Sequence, residues 1–297
     1  MTPRFSRLLR TLTCYTSALL LLVLGGLALR PLTTAQRGHE EAQGLLNPGI
    51  TTTAPDALSS RLAVFTLGGL RSLAAEILAM DATSAWLQQD WPRAKKRWEQ
   101  ITTLCPTRAN YWARAARDMS NNAVAHVYGL KGISEHERAT MAQEYLDAAE
   151  DFYRSGIRYN PDNILLHLEL ASFYEDLARK PQFAKAVDTY KEALRLGASE
   201  MYRRWVFYNL CRIRGREQEA WQLGLQLLTA ERHRTPSVLC LIYALQHKLN
   251  IPAAMRLTPE QLFGTEAKAR KQLRSYLHNT LRFPTNGVAE YLQGMKK

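Results

Sequence analysis

The 297-residue chain is poor in the residues that staple a fold or mark a reaction. It has four cysteines, Cys14, Cys105, Cys211 and Cys240, and no CxxC spacing, so neither a zinc site nor a dense disulfide framework is implied. Cys211 and Cys240 read as buried thiols, or as one bridge if the compartment oxidises. Sixteen glycines and twelve prolines fall in a few clusters, which suits long helices separated by punctuation. There is no GxxxxGK[ST], no GxGxxG after a strand and no GxSxG, so phosphate cradles and nucleophile elbows are missing. His136-Glu137 begins a HExxH-like string that meets Thr140, and His39-Glu40 meets Gln43; neither supplies two zinc ligands. Carboxylate pairs such as Glu144 with Asp147, or Glu150 with Asp151, lie at helical spacing and read as solvated helix faces. No catalytic residue, cofactor or metal is expected, and the chain reads as a non-enzyme.

What is present is apolar helix and positive charge. With 46% apolar residues the chain can bury a sizeable core, as one solenoid or as two domains. The net charge of +12 is unevenly placed: Met201 to Lys297 holds sixteen Lys or Arg against six Asp or Glu, an excess of ten. A basic end seeks nucleic acid, lipid headgroups, an acidic polymer or an acidic protein face.

Three arginines, Arg4, Arg7 and Arg10, precede Leu12–Leu29, which runs 18 residues without a charge. That length is just enough for a transmembrane helix, and the leading arginines favour a cytoplasmic N-terminus, with the body on the exported side. Residues 1–30 are therefore expected to be a membrane anchor. A cleavable signal peptide with a small-x-small site at Thr33–Ala35 is the rival reading. Residues 31–60, with Pro31, Pro48 and Pro55 among polar residues, read as a linker. Arg61–Met80 is apolar, but Arg71 and Glu76 would each cost about 2.5–3.5 kcal/mol at the bilayer centre, so it reads as an amphipathic helix.

The rest of the chain is organised like the stretch from His167 to Glu200. Leu168, Leu170, Ala171, Phe173, Tyr174 and Leu177 keep to one helical face. Phe183, Ala186, Val187, Tyr190, Ala193, Leu194 and Leu196 keep to another, and Pro181 is expected in the first turn of this second helix. Ala186 and Ala193 are small where a neighbouring helix must approach to about 8–10 Å. Leu170, Phe173, Tyr174, Leu177, Ala186, Tyr190 and Ala193 together resemble a tetratricopeptide repeat (TPR), of the membrane-anchored bacterial type. Tyr174 stands where that family prefers a small residue, so looser or tilted packing is expected there. One such hairpin cannot bury both faces, so at least about three must stack.

Weaker copies flank this one. Leu78, Ala82, Ala85, Ala94, Trp98 and Ile101 form one around the turn Asp90-Trp91-Pro92. Trp112, Ala115, Ala116 and Met119 open another, whose Ala149 and Tyr153 arrive 21 residues late. An insertion is therefore expected near 121–133, before a capping box at Ser134 and Glu137 restarts the helix. Phe207, Tyr208, Cys211, Ala220 and Leu227, around a turn at Gly215, make a fourth. The expected fold is all-α: a TPR-like α-solenoid over 61–234, preceded by one transmembrane helix and closed by a basic helical cap over 235–297.

The resemblance implies that first helices line a concave face. Arg114, Arg117, Glu169, Glu175, Arg203 and Arg212 are then candidate contacts for a protein or peptide ligand, possibly an acidic one. Arg204 joins them because Tyr202-Arg203-Arg204-Trp205 sets two arginines between aromatics, an arrangement able to bind a carboxylate or a sugar-phosphate. The expected function is a membrane-anchored scaffold with its repeats on the exported side. Two alternatives stand beside it. One is a subunit of a cell-envelope assembly complex, catalytic or not, using Asn121, Asn122, His126 and Tyr128 of an irregular inserted loop. The other is an RNA-binding helical-repeat protein, which the leader argues against.

Overall fold

A computed structural model describes residues 71–278 and 283–294 of the chain. The expected anchor over 1–30, the linker over 31–60 and residues 61–70 lie outside the described residues. Those described are all-α, with no strand among them. No described helix is long and apolar enough to cross a membrane. The chain divides into two compact units between Ala149 and Glu150.

The first unit opens with the hairpin of α1 (Arg71–Leu87) and α2 (Trp91–Leu104). Asp90 caps α2 by accepting from the Arg93 amide, with Pro92 in the first turn where no amide is wanted. Such a cap stabilises a helix by about 0.5–2 kcal/mol. Ala75, Ala82 and Ala85 face Ala94, Trp98 and Ile101, and all are buried, so small residues on α1 make room for the indole. Arg93 and Arg97 both pair with Asp81, which ties the two helices from outside and holds that carboxyl below its usual range. The opposite face of α1 exposes Leu73, Ile77, Met80 and Leu87.

The next helix buries Trp112, Ala115, Ala116 and Met119, as expected, but the inserted segment differs from an irregular loop. α3 (Ala109–Arg117) runs on through a π-helical segment, Asp118–Ala123, into α4 (Val124–Gly129). Only about five residues then separate it from α5 (Glu135–Tyr159). The insertion thus lengthens both helices of a hairpin. Val124 and Val127 of α4 are buried with Ala142 of α5, so the extension has an apolar seam of its own. The capping box at the start of α5 is present: Glu137 N–H donates to Ser134 Oγ at 3.1 Å, and Ser134 N–H to Glu137 Oε2 at 2.9 Å.

In the second unit, α6 (Ile164–Glu175) and α7 (Phe183–Arg195) form the central hairpin. α6 ends before Leu177, and Pro181 lies outside α7, whose N-cap is Gln182. Ala186, Tyr190 and Ala193 are buried. Tyr174 is buried too; its hydroxyl donates to Glu150 at 2.8 Å and its ring carries the Lys185 ammonium at 5.0 Å. A large residue is tolerated there because its polar end finds a carboxylate.

α8 (Arg203–Leu210) and α9 (Glu217–Leu228) follow, joined through Gly215, whose φ of 87° is the left-handed geometry glycine supplies without strain. A Cβ on Gly224 of α9 would lie 3.0 Å from both Phe207 and Ile242, so the glycine is what lets α9 nest between its neighbours. α10 (Pro236–Lys248) is buried continuously from Val238 to Gln246, as an apolar helix must be when covered on all sides. Gln246 meets both demands of its burial on Leu257, donating to its carbonyl and accepting from its amide, each at 3.0 Å. α11 (Pro259–Phe263), α12 (Glu266–His278) and α13 (Val288–Gly294) complete the unit. The expected terminal cap therefore contains the most buried helix of this unit, and its tail carries a helix where none was expected. Cys105, Cys211 and Cys240 are free, buried thiols.

Candidate functional site

The half-buried side of α8 and the turn beyond it gather three of the seven candidate contacts, Arg203, Arg204 and Arg212. Val206, Phe207, Asn209 and Leu210 anchor the helix inward. That leaves Arg203, Arg204, Trp205 and Tyr208 half-buried on the remaining surface, with Arg212 in the turn beyond. Aromatic rings run along it as a ladder. Tyr190 stacks on Tyr202 at 5.9 Å, Tyr202 meets Trp205 at 5.6 Å, Trp205 meets Tyr208 at 6.1 Å, and Tyr208 meets Phe283 at 6.2 Å. Arginines lie against the rings: Arg204 is 5.7 Å from the Trp205 centroid and Arg212 is 3.9 Å from that of Phe283. Such contacts orient a guanidinium without neutralising it.

One end of the ladder is strongly cationic. Arg203, Arg204 and Arg232 all act electrostatically on His233, which is 4% exposed. Glu200, paired with Arg203 at 3.4 Å, is the carboxylate that acts on the same imidazole. Arg232 donates from Nε to His233 Nε2 at 3.4 Å, so the ring proton belongs on Nδ1. That Nδ1 is buried and meets no acceptor, and neither does the buried Nε of Arg204. Burial first, and then Arg232, Arg204 and Arg203, push the His233 pKa down. The positive charge gathered here would attract an acceptor-only anion such as a carboxylate to the guanidinium groups of this surface.

The other end of the ladder opens on a cavity of about 570 Å³ between the start of α10 and α12. Phe283 belongs to both ladder and cavity, and Cys240, Leu241 and Tyr276 supply further apolar lining. The exposed Lys268 and Lys271 stand at the same cavity. Burial pushes the Cys240 thiol up to about 12, which keeps it protonated and makes it a poor nucleophile. An apolar anchor flanked by acidic groups would match this end.

The remaining candidates have internal partners. Arg114 donates to Thr83 at 3.1 Å and lies 5.3 Å from the Trp98 ring, where it helps dock α3. Arg117 is exposed in the first unit. Glu169 accepts from the Tyr153 hydroxyl at 3.2 Å. Glu175 faces inward, with one oxygen accepting from Tyr190 and the other from Asn209. Of the inserted residues, Asn122 and His126 share a cavity in the first unit, whereas Asn121 and Tyr128 are exposed outside its lining. No group of His, Cys, Asp or Glu able to hold a metal occurs among the described residues.

Sequence reasoning missed Arg232, His233 and Phe283. The basic excess of the last third points to the region, but the cationic cluster is assembled by a short turn, Glu231–His233, that has no motif. No protein-family model matches the chain, and no curated protein does.

Proposed function

We propose that the chain is a membrane-anchored, TPR-like scaffold whose second unit holds an acidic segment of another protein along α8. The observation that carries this reading is the cluster of Arg203, Arg204 and Arg232 around His233, beside an aromatic ladder. Carboxylates would pair with the arginines, and apolar side chains would lie on Trp205 and Tyr208 and reach the cavity at Phe283. The anchor and the exported location rest on the uncharged run Leu12–Leu29 behind Arg4, Arg7 and Arg10.

Binding of a fluorescent oligoglutamate peptide bearing one tryptophan tests it. The Arg204→Glu/Arg232→Glu double variant should lose binding by about a hundredfold, since charge-assisted bonds are each worth about 1.5–3 kcal/mol. Reversal of Lys96, exposed in the first unit, should leave binding unchanged. Equal binding by the double variant would end the proposal. Tighter binding of single-stranded RNA, with a steep salt slope, would replace it with the nucleic-acid reading, because arginines among aromatics also suit stacked bases.

A further inference from the structure

The first unit holds a second cavity, of about 420 Å³, with a different chemistry. Trp86 and Trp91 provide indole surface, His126 an imidazole, and Gln89 and Asn122 carboxamides. Among the described residues, no carboxylate, ammonium or guanidinium lines it. Two backbone irregularities meet here. Gln89, in the turn between α1 and α2, has a φ of 58°, a left-handed conformation that costs a non-glycine residue free energy. Asn122 sits in the π-helical segment, a distortion that recurs at functional sites.

One of the polar groups is held in place by a neighbour. Asn122 donates its amide to Asp118 at 3.0 Å, which sets the side chain and leaves its carbonyl oxygen without a protein donor. Trp91 is only 5% exposed, its ring lies 6.2 Å from that of His126, and its indole N–H has no acceptor. The indole that stands open at the cavity is that of Trp86, which is 39% exposed.

We infer that this cavity binds a neutral carbohydrate. Sugar hydroxyls both donate and accept, as carboxamides and imidazoles do, while the C–H face of a pyranose ring covers an indole. Among the described lining residues an anion would find no cation, and an organic cation no carboxylate to balance it. A purely apolar side chain would bury Asn122 and Gln89 without partners. The volume falls within the usual range for small-ligand sites, about 300–1,000 Å³.

The test is tryptophan fluorescence and calorimetry on the full chain in detergent, with neutral hexose and N-acetylhexosamine tetrasaccharides as probes and choline and N-acetylphenylalaninamide as controls. At least one tetrasaccharide should bind with a Kd of about 1 mM or below, and the controls should not. Trp86→Ala and Asn122→Ala should each weaken that binding about tenfold or more. The Arg204→Glu/Arg232→Glu variant should bind the sugar as the parent does, so this inference and the acidic-segment reading fail separately. Absence of binding by every tetrasaccharide up to about 10 mM, or binding of a control in their place, overturns it.

Discussion

Asp118 in the first unit and Glu175 in the second are half-buried carboxylates held by the same pair of donors, an aromatic side chain and an asparagine. Asp118 accepts from Trp98 Nε1 at 2.9 Å and Asn122 Nδ2 at 3.0 Å; Glu175 accepts from the Tyr190 hydroxyl at 2.9 Å and from Asn209 Nδ2. Burial raises the pKa of both, and the donors oppose it. The difference lies in what is tied. Asp118 and Asn122 are one turn apart on a single helix, so their bond braces the π-helical segment that carries the uncharged cavity. Glu175 and Asn209 come from α6 and α8, so theirs locks the arginine-bearing helix to the central hairpin. Each unit keeps a costly buried acid directly behind its candidate site, where it positions the elements that face a ligand.

Removing the acids should break this comparison most visibly. Glu175→Ala leaves the Tyr190 hydroxyl and one of the two Asn209 amide hydrogens without an acceptor, the other still meeting the Trp205 carbonyl, and should destabilise by about 3 kcal/mol or more in urea unfolding. It should also weaken oligoglutamate binding, because α8 loses its tether. Asp118→Ala should cost less, about 1–3 kcal/mol, since Asn122 is partly exposed and can turn to water. Its effect should fall on sugar binding and spare the peptide. Equal stability losses, or the same binding defect in both variants, would show that the two acids are not assigned to separate sites. A smaller effect is expected at Gly224, where α9 nests against Phe207 and Ile242. Gly224→Ala should cost about 1 kcal/mol by overpacking.

Periodicity made the helices legible, and small residues made the close approaches legible. Ala82, Ala94, Ala186 and Ala193 are fully or almost fully buried, because a 3.6-residue period and an alanine at a crossing are local statements about packing. The π-helical segment was illegible for the opposite reason. Asn121-Asn122 and Gly129 resemble loop composition, and a shifted hydrogen-bond register leaves no mark on hydrophobic spacing. Glu175 reads as a ligand contact on the concave face of a first helix; it faces inward because α6 ends there and Tyr190 and Asn209 donate to it. The anion seat needs Arg203 and His233, 30 positions apart, and only the packing of α8, α9 and α10 brings them together.

The finest distinction between the units is their response to pH. His233 has a depressed pKa in the folded chain, so between that value and about 6.5 the unfolded chain holds more protons. Its contribution to stability is therefore present above about pH 6.5 and is lost as pH falls. Binding should respond in the reverse sense. A carboxylate bound to the arginines counters Arg203, Arg204 and Arg232, adds to Glu200, and raises the imidazole pKa in the complex. The complex then takes up a proton, and oligoglutamate affinity should rise as pH falls from about 8 to about 5.5, by at most about tenfold per pH unit. His233→Asn keeps a donor but cannot titrate in this range, so it should retain binding and flatten that slope. Sugar binding in the first unit should show no change with the same substitution. A slope that survives His233→Asn would place the proton elsewhere and remove His233 from the seat.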